Sequence, residues 1–312
     1  MLARGAVAVG LLIYPVAPTS ASESSGGPGS AYMCHRAKVS AGLMCRAGSQ
    51  NEGIPCSNDA DCGGGEGMCS KNKTTKADIP VVDPFDPHGP GSFKVNRPDL
   101  LCAPARTGAS GARGDSGETS SYLESYFIKR SKEVRKHAGR IGVTLTNEFG
   151  EFTVATGKPD RLMMATQGGA DVSHGVPDPA SLDVDHYLCY QLLQTRRAEK
   201  SPTGIQATVD DEFHHSTYDL EYPTRLCNPV RVNREPIKNP AAHLLCYKAV
   251  PAQTIAGHAA ERPIYRQRIE QRFNNWLAPQ LLDTQRPVSL CLPSVMTANG
   301  TVSVADSWRP GL

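Results

Sequence analysis

Cysteine is the residue type with the most evident chemistry in this sequence, and four cysteines define a compact segment. These four lie within 25 residues that also contain three consecutive glycines and few apolar side chains: Cys45, Cys56, Cys62 and Cys69. Such a segment is typical of a small loop held by two disulfide bonds. A zinc site is a weaker alternative, because zinc ligands usually occur in pairs two to four residues apart. A calcium site is weaker still, since Asp59 and Asp61 lack the further ligands of an EF-hand loop.

Two other arrangements suggest catalysis or metal binding but lack the context that either needs. Residues 114–117 (Gly-Asp-Ser-Gly) match the stretch around the nucleophile of a trypsin-like protease. Ser116 lies, however, in a Gly/Ser-rich segment that offers no rigid scaffold for a histidine base. His186 and His243 each stand three residues before a cysteine, and positions i and i+3 of a strand point to opposite faces. We therefore predict no catalytic, cofactor-binding or metal-binding residue.

The first 21 residues have the organisation of a secretory signal. Arg4 provides a positive start, residues 5–16 are apolar, and small residues end the segment at Ala21. Pro15 and Pro18 disfavour the alternative of a buried N-terminal helix. The sequence therefore predicts export to the periplasm, the cell surface or the medium, where disulfide bonds persist.

The rest of the chain reads as four copies, A to D, of one motif. A typical copy begins with a phrase such as His-Leu-Leu-Cys-Tyr at 243–247 and ends with Pro-x-x-Leu-Cys-x-Pro, as at 287–293. The predicted bounds are 30–106 for copy A with its cysteine-rich insert at 43–72, 122–166 for B, 184–230 for C and 241–298 for D. We expect a flexible linker at 107–121 and a tail at 299–312.

Between the two phrases, each copy carries an alternating apolar stretch that predicts a half-buried strand. The stretch ends on a polar residue followed two positions later by Phe. The four pairs are Asp83 and Phe85, Asn147 and Phe149, Asp211 and Phe213, and Gln271 and Phe273. Residues 261–277 also fit a charged surface helix, but the shared pattern favours a strand. His214 and His215 follow the Phe of copy C alone and predict a turn.

These elements predict an all-β fold of four short strand-rich repeats in two sandwich-like pairs, A with B and C with D. Copies of 50 to 60 residues bury little core, so crosslinks matter for their stability. Three copies have a cysteine in both phrases, whereas copy B has Ile128 and Met163 in their place. Joint loss of both cysteines indicates that they pair within a copy. The expected bonds are Cys34–Cys102, Cys189–Cys227 and Cys246–Cys291, with the four insert cysteines bonded among themselves.

Charge and hydropathy limit the possible partners. Thirty-three basic residues nearly balance 31 acidic ones, for a net charge of +2, whereas nucleic-acid binders usually show a basic excess or a basic face. No segment after the signal reaches the roughly 18 apolar residues of a membrane helix. We expect neither nucleic-acid binding nor a transmembrane segment. The leading function is non-enzymatic: binding of an extracellular or envelope ligand, or an envelope-structural role. The alternative is a secreted hydrolase of an extracellular polymer, with its site between paired repeats.

Several phrases of copies C and D resemble a family of exported bacterial repeat proteins of uncharacterised function. The phrases are Asp211-x-Phe213, Leu226-Cys-Asn-Pro229 and His243-Leu-Leu-Cys-Tyr-Lys248. The insert likewise resembles a short module with a Cys-x-x-Asp-x-x-Cys-Gly-Gly-Gly core, at 56–65. The resemblance implies export and a repeated domain, and it implies no particular reaction.

Overall fold

The computed structural model describes residues 30–46, 48–73, 77–85, 91–108, 121–132, 137–168, 177–193, 204–255, 258–259 and 265–302. The predicted signal, Ser116 and most of the predicted linker and tail lie outside these ranges. The described residues form strands and two short 3-10 helices, Asp59–Cys62 and Pro179–Ser181. The predicted all-β, disulfide-bonded class is confirmed. No helix in the described part of the chain has the length and apolarity that crossing a membrane requires.

Each predicted copy contains three main strands in the same order. The first strands are β1 (Ala31–Val39), β6 (Tyr122–Arg130), β9 (His186–Leu193) and β12 (His243–Pro251). The second strands are β4 (Asp78–Val82), β7 (Arg140–Asn147), β10 (Ile205–Asp211) and β15 (Arg268–Asn275). The third and longest strands are β5 (Gly91–Gly108), β8 (Gly150–Gly168), β11 (His215–Val232) and β16 (Pro279–Val302). β15 lies within residues 261–277, so this segment contains the strand that the shared pattern favoured over a charged surface helix.

The insert of copy A is a small separate hairpin. Its strands, β2 (Leu43–Cys45) and β3 (Cys69–Lys71), pair antiparallel, and the 3-10 helix lies between them. Cys45 is bonded to Cys62, and Cys56 to Cys69. A second short hairpin in copy D joins β13 (Thr254–Ile255) and β14 (His258–Ala259). The insert cysteines therefore crosslink a loop and leave no thiol for a zinc ion.

The first and third strands form a closed ring of eight strands. Each first strand pairs with the third strand of its own copy and with the third strand of the preceding copy, always antiparallel. The order is β1-β5-β6-β8-β9-β11-β12-β16, and β16 pairs again with β1. Closure leaves no open edge in the ring.

The second strands connect copies that lie opposite each other in this ring. Each pairs with the start of its own third strand and with the end of the third strand two copies away. β4 of copy A thus joins β5 to β11 of copy C, and β10 joins β11 to β5. The arrangement therefore differs from the two sandwich-like pairs that the sequence predicted, because every copy pairs with all three others. β5 extends to Gly108 and β16 to Val302, so both continue into the predicted linker and tail.

Alternation along the ring strands separates two apolar layers. On β12, Leu244 and Cys246 belong to a layer that contains all three repeat disulfides. Leu245 and Tyr247 belong to a larger layer that the second strands also fill. Period-two strands with apolar residues on both faces are buried on both sides. The disulfide layer and the second-strand layer together form the core.

The repeat disulfides join residues that lie directly opposite each other on neighbouring strands. The bonds are Cys34–Cys102, Cys189–Cys227 and Cys246–Cys291. These are the pairs predicted from the joint loss of both cysteines in copy B. In copy B, the residue opposite Met163 is Ser125, while Ile128 lies opposite Val95. Tyr126 corresponds to the tyrosine that follows the first cysteine in copies C and D, so Ser125 is the counterpart of that cysteine. The prediction that Ile128 takes the place of the cysteine is therefore wrong by three positions.

Candidate functional site

A cleft of about 1160 Å³ is lined by residues of seven of the eight ring strands. The lining residues on the ring strands all follow the repeat cysteine position on the first strands and precede it on the third strands, so the cleft lies at one end of the ring. Arg36 and Lys248 lie two residues after the disulfide cysteines Cys34 and Cys246, and Arg225 lies two before Cys227. Strand residues two apart share a face, so the cleft opens on the disulfide face of the ring.

Two arginines and two aspartates form an ion-paired network in this cleft. Arg161 donates to Asp99 from Nε at 2.8 Å and from Nη2 at 2.6 Å. Asp160 accepts from Arg225 Nε at 3.0 Å and Nη2 at 2.9 Å, and from Arg161 Nη1 at 3.1 Å. Burial raises the pKa of Asp160, and Arg161 partly offsets that effect. Arg225 forms a bidentate pair with Asp160, and Arg161 contacts both aspartates, so both guanidinium groups are held in fixed positions. This part of the cleft is therefore polar but nearly neutral.

Three further arginines line the cleft without an acidic partner. Arg36, Arg97 and Arg286 are exposed, and none forms an ion pair with any residue that the structure describes. β1 lies between β16 and β5, with His35 opposite Pro287 and Arg36 opposite Leu100. The three arginines therefore lie on three adjacent strands. They form a local concentration of positive charge that the net charge of +2 does not indicate.

The other charged residues of the cleft are lysines with acidic neighbours. Lys38 lies 3.6 Å from Asp283 and Lys248 lies 2.7 Å from Glu221. Exposed pairs of this kind contribute little energy and exchange partners readily. The two pairs therefore add little net charge to the cleft, and their acidic members have lysine partners.

A histidine–aspartate cluster stands at one wall of the cleft. Asp211 accepts at Oδ2 from His35 Nε2 at 2.7 Å and lies 3.0 Å from His214 Nδ1 through Oδ1. His214 also contacts the Tyr218 hydroxyl, and both residues line the cleft. Burial raises the pKa of Asp211, but the hydrogen bonds with His214 and His35 outweigh it and hold the pKa far below its ordinary range. Asp211 is therefore a carboxylate at neutral pH.

The position of Asp211 is repeated in all four copies, but its surroundings are not. In each copy, an Asp or Asn at the end of the second strand accepts from the backbone N–H two residues later. These acceptors are Asp83, Asn147, Asp211 and Asn275. Each also contacts the first strand of the copy two away. The partners are Tyr190, Tyr247, His35 and Tyr126 in the same order.

This comparison corrects the predicted motif of copy D. Asn275, with Leu277 two residues later, takes the place that the sequence pattern assigned to Gln271 and Phe273. Phe273 is a buried strand residue two positions earlier than the capped turn. The comparison also shows that His35 replaces a tyrosine, and that His214 adds a second imidazole at this one turn.

Sequence reasoning missed this cluster because its two histidines belong to different copies. The His214–His215 pair was visible as a feature of copy C alone, and the turn predicted there is present. The available signal for His35 was the residue after the first cysteine, which is tyrosine in copies C and D and histidine in copy A. His186 and His243, by contrast, are strand histidines in local hydrogen bonds. His186 contacts Glu235 and the Ala165 N–H, and His243 contacts Asn228.

Comparisons with known protein families, with curated protein sequences and with solved structures found no significant match to this chain. The resemblance to the exported bacterial repeat family therefore stays a prediction. Five disulfide bonds favour a non-reducing environment. A function for this chain must therefore be inferred from the cleft and its residues.

Proposed function

We propose that this chain is an exported, disulfide-stabilised binding protein whose cleft holds an acidic oligosaccharide. The observation that carries the proposal is the set of three arginines, Arg36, Arg97 and Arg286, on adjacent strands and without an acidic partner among the described residues. A guanidinium group offers a planar fork of donors that matches a carboxylate. Three such groups on one surface favour a ligand with several carboxylates.

Aromatic side chains in the same cleft support a sugar as the carrier of those carboxylates. Phe127 and Tyr265 both line it, and Phe127 is 36% exposed. The Arg161 guanidinium lies 4.7 Å from the centre of the Phe127 ring and holds that ring in place. A fixed ring with an open face is a platform for the apolar face of a sugar.

The size of the cleft favours a ligand of several sugar units. Its volume of about 1160 Å³ exceeds the range of roughly 300–1,000 Å³ typical of small-molecule pockets. The paired arginines Arg161 and Arg225 supply fixed donors without adding net charge. The cleft thus combines a charged part for carboxylates with a neutral polar part for hydroxyl groups.

Calorimetric titration with three probes tests the proposal. The mature chain is titrated with hexagalacturonate, with neutral maltohexaose and with inorganic phosphate, each at low and at moderate salt. We expect saturable binding of hexagalacturonate that weakens with salt, and no comparable binding of maltohexaose. Equal binding of maltohexaose, no binding of hexagalacturonate, or phosphate binding as tight as that of the oligosaccharide would each overturn it.

A hydrolase is the second candidate function, and one observation favours it. Asp211 orients the imidazole of His214 at the wall of the cleft, and a carboxylate–imidazole pair is a common general base. In that case the chain would release new reducing ends from hexagalacturonate, and the release would stop in a folded His214→Ala variant. Binding without release of reducing ends supports the binding protein and excludes hydrolysis of this probe.

A further inference from the structure

The cluster of His35, Asp211 and His214 contains more than the turn needs. At the equivalent turns of copies B and D, a single Asn caps the backbone and contacts one tyrosine. The residue three positions after the Asx is Gly150 in copy B and Ala278 in copy D, neither of which carries a polar side chain. The turns of copies B and D thus form without a side chain like that of His214, which the cap itself does not require.

The hydrogen-bond partners of His35 give a second, independent indication. Its Nε2 faces the Asp211 carboxylate at 2.7 Å, and its Nδ1 faces the Gln285 carbonyl oxygen at 3.3 Å. Both partners are acceptors only, and a neutral imidazole carries one N–H. This ring is fully buried. A cation between Nε2 and the Asp211 carboxylate would let Nδ1–H donate to the Gln285 carbonyl while the carboxylate keeps a positive partner.

The donor set fits a transition-metal ion. The two imidazole nitrogens and the carboxylate oxygen all lie within 4.8 Å of one another. Zinc takes imidazole nitrogen and carboxylate oxygen at about 2.0–2.2 Å, and open zinc sites use three protein ligands. Ligand atoms around such an ion are about 3.3 Å apart. His35 Nε2 lies 2.7 Å from Asp211 Oδ2 and His214 Nδ1 lies 3.0 Å from Oδ1 of the same carboxylate, so each imidazole nitrogen is within a few tenths of an ångström of that spacing from one of the two oxygens.

The groups around the cluster complete the pattern of a metal site. Histidines that ligate a metal usually donate their other ring N–H to a carbonyl or another oxygen, which fixes the ring. Gln285 stands in this place for His35, and the Tyr218 hydroxyl for His214. Of the three ligands, His214 lines the cleft, while the side chains of His35 and Asp211 are fully buried. An ion held by the three would therefore border the cleft at His214.

We propose that His35, Asp211 and His214 bind one divalent transition-metal ion, with zinc the favoured occupant, and leave an open position toward the cleft. This inference does not depend on the nature of the cleft's ligand. A metal at this wall provides a further contact for an anionic group, in addition to the three arginines.

The four copies supply variants that should remove the metal site and keep the fold. His35→Tyr introduces the tyrosine that the other three copies have, and Asp211→Asn introduces the residue of copies B and D. Asp83→Asn makes the same change at the equivalent position of copy A, where the partner on the opposite first strand is Tyr190 instead of a histidine. His215→Ala removes a neighbouring exposed histidine and serves as a second control.

The test is calorimetric titration of zinc chloride into chain without a histidine tag, after removal of metal with a chelator. We expect one zinc ion per chain for the native chain and both controls, and an affinity at least about tenfold weaker for His35→Tyr and Asp211→Asn. Far-ultraviolet circular dichroism verifies that every variant is folded. Absence of zinc binding by the native chain would overturn the proposal, as would equal affinity in the two ligand variants.

Discussion

A buried carboxyl group in copy B makes the stability of this protein depend on pH above the range in which carboxyl groups ordinarily titrate. Glu124 is fully buried on β6, and burial raises its pKa from the ordinary 4.5 to about 8, although hydrogen bonds from Tyr126 and Asn275 partly oppose this. Below pH 4.5 the group is protonated in both the folded and the unfolded chain. Between pH 4.5 and 8 the unfolded chain releases the proton while the folded chain retains it, so stability falls as pH rises.

The size of this effect follows from the two pKa values. Each pH unit in the interval lowers the free energy of unfolding by about 1.4 kcal/mol, for a total of roughly 4–5 kcal/mol. Glu124→Gln removes the ionisation and retains an oxygen for Asn275 Nδ2, which donates to Oε2 at 2.6 Å. The other oxygen has no hydrogen-bond partner among the described residues, so neither the carboxyl O–H of Glu124 nor the amide N–H groups of Gln have an acceptor there.

Guanidinium denaturation with the disulfides intact measures the outcome at pH 4.5 and pH 8. Glu124→Gln should leave the free energy of unfolding nearly unchanged at pH 4.5 and raise it by at least about 2 kcal/mol at pH 8, allowing for relaxation around the charge. Glu151→Gln, at an exposed position of β8, is the matched control and should have little effect at either pH. An equal effect of Glu124→Gln at both pH values would refute the reasoning.

Two further predictions concern the ring itself. Replacing Cys246 and Cys291 together by Ala should lower the free energy of unfolding by about 2–4 kcal/mol, since that bond closes a long loop. An unchanged denaturation midpoint would contradict a stabilising role for this disulfide bond. Gly168→Ala should cost about 1–3 kcal/mol in the same assay. The new Cβ would lie 2.5 Å from the Phe273 ring and 2.7 Å from the Tyr122 ring, and a variant as stable as the native chain would show that this contact is not tight.

The sequence predicted the type of each main strand because alternation is a local signal. The patterns before Asp83, Asn147 and Asp211 each became a second strand that ends near the polar residue. Which strands lie side by side is a non-local property that alternation does not contain. The closed ring and the link between opposite copies therefore could not be read from the pattern.

Errors of register arose where a copy departs from the shared phrases. In copy D, Phe273 offers the expected aromatic residue two positions before the true capped turn at Asn275, which Leu277 follows. In copy B, Ser125 occupies the position of the first cysteine, and its residue type does not mark it as that position. The shift of four positions in copy D keeps the alternation of faces, whereas the shift of three in copy B moves the assigned residue to the opposite face of the strand. The pairing partners reveal both errors.

The candidate site was hidden because its parts are dispersed along the chain. His35 and Asp211 are 176 positions apart and meet only because copies A and C are opposite in the ring. Arg36, Arg97 and Arg286 are likewise drawn from two copies. Net charge averages over the whole chain, so it carries no information about a local concentration of arginines.

The most direct test of the proposed function is the affinity of the mature chain for hexagalacturonate before and after removal of the three arginine charges. The variant replaces Arg36, Arg97 and Arg286 together by Gln, and Arg231→Gln, at an exposed position outside the cleft, is the control. Charged hydrogen bonds contribute about 1.5–3 kcal/mol each, so the triple variant should bind at least about a hundredfold more weakly and with less dependence on salt. The control should bind like the native chain. Unchanged affinity in the triple variant, or an equal loss in Arg231→Gln, would contradict the assignment of the cleft as the site of an acidic oligosaccharide.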